Sequence, residues 1–192
     1  MTGAAAFWIP AISGGLAGAL LTQAAQFLRN WWSAPKLEIN FDNNTDGCIV
    51  LHVPYESISY KGERKYLRLQ IFNGGRSTAK DVQVMIVKLG LPNNDFFSGE
   101  VLDLIWSNSK HETKFDIPSK TPRYVDLCAA DHHPESLGLM LCAKGSVAQL
   151  KDANLNGQTS LDICVAAENA ATIKKTVRVQ FNGSATSLQI VM

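Results

Sequence analysis

The segment from Met1 to Leu28 contains no Asp, Glu, Lys or Arg, and this absence of charge constrains the fold more than any other sequence feature. Its stretch AFWIPAISGGLAGALLTQAAQFL is rich in Ala, Leu, Ile and Gly. About 20 apolar residues in a helix span a bilayer core of roughly 30 Å. Trp8 and the pair Trp31–Trp32 lie at the two ends, as interfacial aromatic residues do. The pattern predicts one N-terminal transmembrane helix within residues 1–32.

Two other structures fit the same segment. A cleaved signal peptide needs a positively charged N-terminal region, which is absent before Leu28. A soluble or interfacial helix is the second alternative, although an uncharged run of this length is unusual for one. Because the bases Arg29 and Lys36 follow the segment and none precedes it, the positive-inside rule predicts a single-pass protein of the inner (cytoplasmic) membrane, with the N-terminus outside and the C-terminal domain cytoplasmic.

Gly14 and Gly18 form a GxxxG pair within this segment. Small residues four positions apart let two helices approach closely in lipid. The spacing predicts helix–helix contact at these glycines, and therefore a homo-oligomer formed through the transmembrane helix. The alternative is that glycine is simply common in transmembrane helices.

The rest of the chain is close to neutral. All 17 acids and 16 of the 18 bases lie within residues 37–192, so this part of the chain carries a net charge near −1. A domain without a strong global charge has no electrostatic field that would attract nucleic acid, and we expect no nucleic-acid partner. Its length is sufficient to bury a core of its own.

After the short connector at 33–36, apolar and polar residues alternate with a period of two. Alternation over five to nine residues is typical of strands that bury one face. Turn sequences such as Asn73-Gly74-Gly75 and Asn182-Gly183 separate these runs. The alternating apolar positions are Leu37, Ile39 and Phe41; Leu67, Leu69 and Ile71; Val82, Val84 and Ile86; Val125 and Leu127; Leu161, Ile163 and Val165; and Val177, Val179 and Phe181.

Many short strands without crossover helices predict an all-β domain, an antiparallel immunoglobulin-like β-sandwich. The predicted organisation is a transmembrane helix at 1–32, a connector at 33–36 and the β-sandwich at 37–192. A weak helical pattern at 146–153 is the one candidate for a further helix.

The stretch YLRLQIFNGGRSTAKDVQV resembles the N-x-G-x-[ST]-x-A-x-x-V pattern of CARDB-type immunoglobulin-like modules. It is also similar to small bacterial single-pass membrane proteins that carry such a domain behind one helix. The resemblance implies a sandwich fold and a role in adhesion or interaction, and it implies no active site. Such modules are usually exported, which conflicts with the predicted cytoplasmic side. The matching residues are Asn73, Gly75, Ser77, Ala79 and Val82.

Between positions 61 and 80 the chain has six bases and the single acid Glu63. This stretch is a candidate for a surface that faces anionic lipid headgroups or a protein partner. An ordinary solvated strand face is the alternative, and the aromatic residues of the stretch fit either a covering loop or a binding surface. The candidate residues are Lys61, Arg64, Lys65, Tyr66, Arg68, Phe72, Arg76 and Lys80.

The remaining polar residues suggest no catalytic, cofactor or metal site. His132-His133 with Cys128 and Asp131 is the one ligand-rich cluster, but adjacent histidines on a loop seldom converge on one metal. The four cysteines are widely spaced and form no CxxC pair. Free core thiols are the favoured interpretation, with disulfides and a reactive site as alternatives.

These features predict a non-enzymatic interaction module: a β-sandwich held at the cytoplasmic face of the membrane that binds a protein partner or associates with itself. One alternative is an effector that senses a ligand and disrupts the bilayer through clustered helices. Another is an exported adhesion-like β-sandwich.

Overall fold

The computed structural model describes residues 8–56, 61–90, 96–97, 101–109, 112–131, 139–144 and 157–191. The chain divides into two compact units, Met1–Ala34 and Pro35–Met192. This boundary lies within the predicted connector.

Within the described residues of the first unit there is one helix, α1 (Trp8–Ser33). Among the residues that the structure describes, no helix is long and apolar enough to cross a membrane. The prediction of a transmembrane helix is therefore wrong, and with it the prediction of a single-pass protein of the inner membrane. The physical reason is the polarity of the helix over 18–29, where side chains are described: the apolar residues there are interrupted by Thr22, Gln23, Gln26 and Arg29.

The predicted helix–helix contact at Gly14 and Gly18 assumed a transmembrane helix, which the structure does not support. Gly18 lies in an open position, since a Cβ built on it would meet no atom within 4 Å. The surroundings of Gly14 lie outside the described residues. Thr22 donates its hydroxyl to the carbonyl of Gly18 at 2.8 Å, a local bond within the helix.

The second unit consists of strands and one 3₁₀ helix (Ala185–Ser187) in the part of the chain that the structure describes. The strands are β1 (Leu37–Asn40), β2 (Ile49–Glu56), β3 (Lys61–Asn73), β4 (Ala79–Gly90), β5 (Phe96–Phe97), β6 (Leu102–Trp106), β7 (Lys114–Ile117), β8 (Pro122–Asp131), β9 (Met140–Leu141), β10 (Ala143–Lys144), β11 (Gly157–Ala167), β12 (Ala170–Phe181) and β13 (Gln189–Val191).

All described pairings are antiparallel, as predicted, but they do not form the predicted immunoglobulin-like sandwich of two separate sheets. The strands belong to one curled sheet in the order β1-β3-β8-β6-β4-β11-β12-β13. The joining element is β6, which pairs with β4 at Leu102 and Asp103 and with β8 at Ile105 and Trp106. A strand shared in this way makes the two halves of the sheet continuous, so the predicted two-sheet architecture is wrong.

The core of this sheet follows the alternation of the sequence. In β3, Leu67, Leu69 and Ile71 are fully buried, whereas the residues between them are half-buried on the other face. The same pattern recurs in β4, β8, β11 and β12. At roughly 25 cal/mol per Å² of apolar surface removed from water, these alternating side chains supply the main driving force for folding.

A single buried amide, that of Asn73 at the end of β3, joins three separate parts of the chain. Its Oδ1 accepts hydrogen bonds from the backbone N–H of Lys36 at 3.2 Å and of Gly75 at 3.0 Å. Its Nδ2 donates to the carbonyl oxygens of Ser77 at 2.8 Å and Ile117 at 3.0 Å. Asn73 is completely buried, and all four hydrogen-bonding sites of its amide are used.

The backbone of Asn73 adds two further bonds at the same place. Its N–H donates to Thr121 O at 3.2 Å, and its carbonyl accepts from Lys120 N at 2.7 Å. Asn73 therefore fixes the start of β1, the loop from β3 to β4, and the turn from β7 to β8. This arrangement gives a physical reason for the Asn-x-Gly-x-Ser sequence, in which Ala79 and Val82 then begin the next strand fully buried.

We expect substitution of Asn73 to destabilise the β unit strongly. Asn73→Ala removes one hydrogen-bond partner from each of four backbone groups, two of them in buried bonds, and Asn73→Asp replaces the NH2 donor with a single acceptor oxygen. Each buried group left unpaired costs about 1–3 kcal/mol, so we expect both variants to lose at least about 3 kcal/mol in the free energy of unfolding, measured by urea denaturation.

Asn40→Ala is the matched control, because the half-buried Asn40 amide makes one side-chain bond, to Gln70 Oε1 at 2.9 Å. We expect that variant to lose about 1 kcal/mol or less. Equal losses at positions 40 and 73 would show that Asn73 has no special role.

Candidate functional site

The predicted surface between positions 61 and 80 lies mainly on the outer face of β3. Arg64, Tyr66 and Arg68 alternate with the buried leucines and therefore point away from the core. Phe72 continues this face opposite Pro122 of β8. Lys65 lies opposite Ala130 and is half-buried, and burial lowers the pKa of its ammonium group.

Two of the predicted bases are paired with acids of β8. Arg64 forms an ion pair with Asp131 through its Nε, and its Nη2 lies 3.3 Å from Asp131 Oδ2. Arg68 Nε donates to Asp126 Oδ1 at 2.6 Å, and Ser107 Oγ donates to the same oxygen at 2.6 Å. The guanidinium of Arg68 also lies over a ring of the same face, that of Tyr66, at 5.6 Å.

These pairs make the outer face of β3 less basic than its sequence indicates. The acids are 67 and 58 positions away along the chain, so a count of charges between 61 and 80 could not include them. Elsewhere on the predicted surface, Arg76 is exposed in the loop after β3 and Lys80 is exposed at the start of β4. The side chain of Lys61 lies outside the described residues. The assignment of these residues to a partner surface stays a prediction.

A short segment, Leu139–Lys144, fills the gap where β6 and β8 diverge. Its first strand, β9, pairs with β8, and its second, β10, pairs with β6. Between them, Cys142 donates its backbone N–H to Leu127 O at 3.0 Å and accepts one from Ile105 N at 3.3 Å. The segment therefore places the Cys142 thiol beside the paired charges of β3 and β8.

The Cys142 thiol is protonated at neutral pH. Burial, followed by the nearby carboxylate of Asp126, raises its pKa to about 12, against the opposing effect of Arg64 and Arg68. Burial also raises the pKa of Cys128 and that of Cys48. The four cysteines are free. Because the thiolate is the reactive form of cysteine, the protonated thiols of Cys48, Cys128 and Cys142 are poor nucleophiles at neutral pH.

A groove of about 180 Å³ opens beside the outer face, at the end of β6. Its walls come from three strands, β3, β7 and β8, and from the turn that follows β6. It is lined by Arg68, Trp106, Ser107, Asn108, Phe115, Pro122, Arg123 and Tyr124. We call it the Arg123 groove.

Arg123 is the exposed cation of this groove. Its guanidinium carbon lies 4.7 Å from the centre of the Phe115 ring, and Phe115 in turn contacts Trp106 with ring centres 5.9 Å apart. In the part of the chain that the structure describes, Arg123 forms no ion pair with an acid. A guanidinium over an aromatic ring is held by cation–π attraction, and its N–H groups can still donate two parallel hydrogen bonds to a carboxylate.

Tyr124 forms a rigid wall of the same groove. Its hydroxyl accepts from Gln70 Nε2 at 3.0 Å and donates to Asp46 O at 2.9 Å. The ring lies against Gly47, where a Cβ would approach Tyr124 within 2.8 Å and where φ is +80°. Glycine is therefore required at position 47 for two reasons, its conformation and the space that the tyrosine occupies.

The other candidate site of the sequence is His132-His133, which lies outside the described residues. Of its neighbours, Cys128 is buried in the core and Asp131 is paired with Arg64. Among the described residues, no group of three or more His, Cys, Asp or Glu side chains is placed to hold a metal ion.

Comparison with known proteins adds no assignment to this geometry. Protein-family models, curated proteins and solved structures all give no match to the chain. The resemblance to CARDB-type modules therefore stays a prediction.

We expect the β unit to lose stability as the pH rises above 9. Burial raises the folded-state pKa of Cys142 and Cys128 above the ordinary thiol value of 9.0 and that of Tyr66 above 10.0. A raised pKa in the folded state contributes stability that is complete below the unfolded-state pKa and is lost as the pH rises toward the folded one. For Cys142 this interval runs from 9.0 to about 12.

Urea denaturation at increasing pH measures this loss. Between pH 9 and 10, we expect the free energy of unfolding to fall less in the variant Cys128→Ala with Cys142→Ala than in the unsubstituted protein. The exposed-face variant Thr176→Ala serves as the control and should keep the full pH dependence. If the free energy of unfolding of the cysteine variant depended on pH as it does in the unsubstituted protein, this would contradict the burial of these thiols.

Proposed function

We propose that this protein is a non-enzymatic interaction module whose Arg123 groove binds an acidic side chain of a protein partner. The observation that supports this proposal is the exposed Arg123 guanidinium, which lies over the Phe115 ring and has no acidic partner among the described residues. The proposal keeps the predicted class of function and discards the membrane attachment.

The groove supports a side chain as its ligand because of its size and its chemistry. Its volume of about 180 Å³ is smaller than the roughly 300–1,000 Å³ of small-molecule sites. Arginine and the aromatic residues are the side chains that contribute most to binding energy in protein interfaces. A planar guanidinium held by stacking matches a carboxylate with two hydrogen bonds and loses little conformational freedom on binding.

The two bases of the groove have different roles in this proposal. Arg68 is already bonded to Asp126, so its charge is largely satisfied within the sheet and it holds the wall in place. Arg123 supplies the charge for the partner. Asn108, in the turn after β6, is exposed at the rim of the groove and has a φ of +64°.

The alternatives from the sequence differ in what they require. The bilayer-disrupting effector would require a membrane-spanning helix, and no helix among the described residues is long and apolar enough to be one. The exported adhesion-like module requires only a binding surface, so it differs from the proposal in compartment and not in mechanism.

Binding of capped hexaglutamate, measured by fluorescence anisotropy at low ionic strength, tests the proposal. We expect it to bind at least about tenfold more tightly than capped hexaglutamine, which is nearly isosteric and uncharged, because charge-assisted bonds are about twice as strong as neutral ones. Arg123→Ala should remove this preference. Arg123→Lys should restore only part of it, because an ammonium group cannot make two parallel bonds.

Lys144→Ala is the control, since it removes one exposed positive charge of β10, away from the groove lining. Thermal unfolding of each variant establishes that it is folded. A preference for glutamate that survives in Arg123→Ala, or that is lost equally in Lys144→Ala, would contradict the proposal.

A further inference from the structure

A second surface, independent of the Arg123 groove, lies on the helix α1. Between positions 18 and 29 every residue of α1 is exposed, and four of them have large apolar side chains. The exposed fraction is 67% for Leu20, 71% for Leu21, 71% for Phe27 and 60% for Leu28. Single exposed apolar side chains are ordinary on a protein surface, whereas a contiguous group of them marks a place of association.

The apolar and polar residues of this part of α1 lie on opposite sides of the helix. Successive residues of an α-helix are about 100° apart around its axis. On this spacing the apolar residues between 20 and 29 fall within an arc of roughly 160°, and the polar residues fall outside it. The apolar residues, which we call the apolar face of α1, are Leu20, Leu21, Ala24, Ala25, Phe27 and Leu28. The polar residues are Thr22, Gln23, Gln26 and Arg29.

The stability of α1 in water depends on packing. The helix includes Gly14, Gly15 and Gly18, and glycine is among the least favourable residues in a helix interior. In proteins, most of the stability of a helix comes from packing of an amphipathic face and not from propensity. The exposed apolar face is the part of α1 that can supply such packing when another molecule covers it.

The charges of α1 argue against a lipid surface or a charged peptide as this molecule. Arg29 is the one charged residue between positions 20 and 29, and it lies outside the apolar face. A helix that binds a membrane surface typically has a polar face rich in Lys and Arg. A charged peptide would need opposite charges beside the apolar face, and residues 20–28 have none. The face therefore fits a partner that offers apolar contact alone.

The same face of a second copy of the chain offers such contact. Leu21, Ala24 and Leu28 have the spacing of successive core positions in a coiled coil, where a large side chain of one helix enters a space on the other. The small Ala24 between two leucines provides such a space. Because Arg29 lies outside the apolar face, pairing of two copies through this face brings no like charges into the contact.

The area of the face is comparable with what a stable association needs. Phe27 and the three leucines together offer roughly 400 Å² of apolar surface in each copy. Two copies bury about twice this area before the alanines are counted, which approaches the roughly 1,000 Å² of a specific interface. An arc as wide as this one is also wider than the seam of a two-stranded coiled coil, so more than one neighbouring helix can pack on it.

We propose that the apolar face of α1 packs against the same face of other copies of this chain, so that the protein assembles in water through its α1 helices. This association does not depend on the Arg123 groove. Since each copy has one such groove, one assembly carries several of them.

Sedimentation equilibrium of the full chain in buffer without detergent tests the proposal. We expect a mass at least twice the 20.9 kDa of one chain. Leu21→Gln with Leu28→Gln should raise the dissociation constant at least about tenfold, because each copy loses two apolar side chains from the contact. Glutamine and leucine have similar helix propensities, so this variant changes burial and leaves propensity nearly the same.

The matched control is Thr22→Gln with Arg29→Gln. It introduces the same residue at the same spacing, one position further along the helix, but outside the apolar face. We expect this variant to assemble as the unsubstituted protein does. Arg123→Ala should also leave the mass unchanged, which separates this proposal from the one for the Arg123 groove.

Hydrogen exchange at several protein concentrations provides a second measurement. We expect the backbone amides of residues 20–29 to be protected when the assembly is present and to exchange faster on dilution. The amides of β3 and β8 should stay protected at every concentration and in both helix variants. This result would show that a loss of mass comes from dissociation and not from unfolding of the β unit.

Several outcomes would overturn the proposal. They are a monomeric unsubstituted chain, an assembly that survives Leu21→Gln with Leu28→Gln, and an assembly that is lost equally in the control variant. A chain that is monomeric alone and sediments with vesicles of phosphatidylcholine and phosphatidylglycerol would also overturn it, because lipid would then cover the face. None of these outcomes alters the result expected with hexaglutamate.

Discussion

The buried amide of Asn73 is the interaction on which the arrangement of the β unit depends. Four hydrogen bonds from one side chain and two from its backbone hold the beginning of β1, the loop after β3 and the turn before β8. Hydrophobic burial is not directional and does not by itself determine which loops meet. A completely satisfied buried amide does determine this, because every misplaced loop leaves a polar group unpaired.

The pairing of β3 with β8 determines in turn where the Arg123 groove lies. Their register places Arg68 opposite Asp126 and Arg64 opposite Asp131, so two ion pairs link the strands on their outer face. Beyond this neutralised face, the beginning of β8 presents Arg123 to solvent over the ring of Phe115. At the ends of the curled sheet, Lys175 of β12 donates a side-chain hydrogen bond to Ile39 of β1, and no ladder joins these two strands among the described residues.

Much of the strand pattern could be predicted from the sequence, because period-two alternation reports directly on burial. The predicted positions Leu67, Leu69 and Ile71, and likewise Val177, Val179 and Phe181, are in the core. The predicted transmembrane helix was wrong because an uncharged stretch is not necessarily apolar enough. The two-sheet architecture was wrong because alternation does not reveal that one short strand, β6, joins both halves.

The candidate site was less accessible from the sequence than the strands were. The basic residues between 61 and 80 could be counted, but their acidic partners lie in a strand far along the chain. The residues next to Arg123 in the sequence do not indicate a site, since its surroundings come from β7 and from the turn after β6. Contacts between distant segments cannot be predicted from adjacent residues. The Asn-Gly turn at position 73 can be, because adjacent residues determine its geometry.

The side-chain link between Lys175 and Ile39 has a consequence for how the chain is made. It joins residues 136 positions apart, at the two ends of the sheet. During synthesis, β1, β2 and β3 emerge well before β8, and β8 emerges before β12. The long edge of β3 is therefore without its central partner for tens of residues, and β1 is without β12 for longer still. A nascent chain with this strand order has unpaired strand edges during part of its synthesis. In that period its strands can most easily pair with wrong partners.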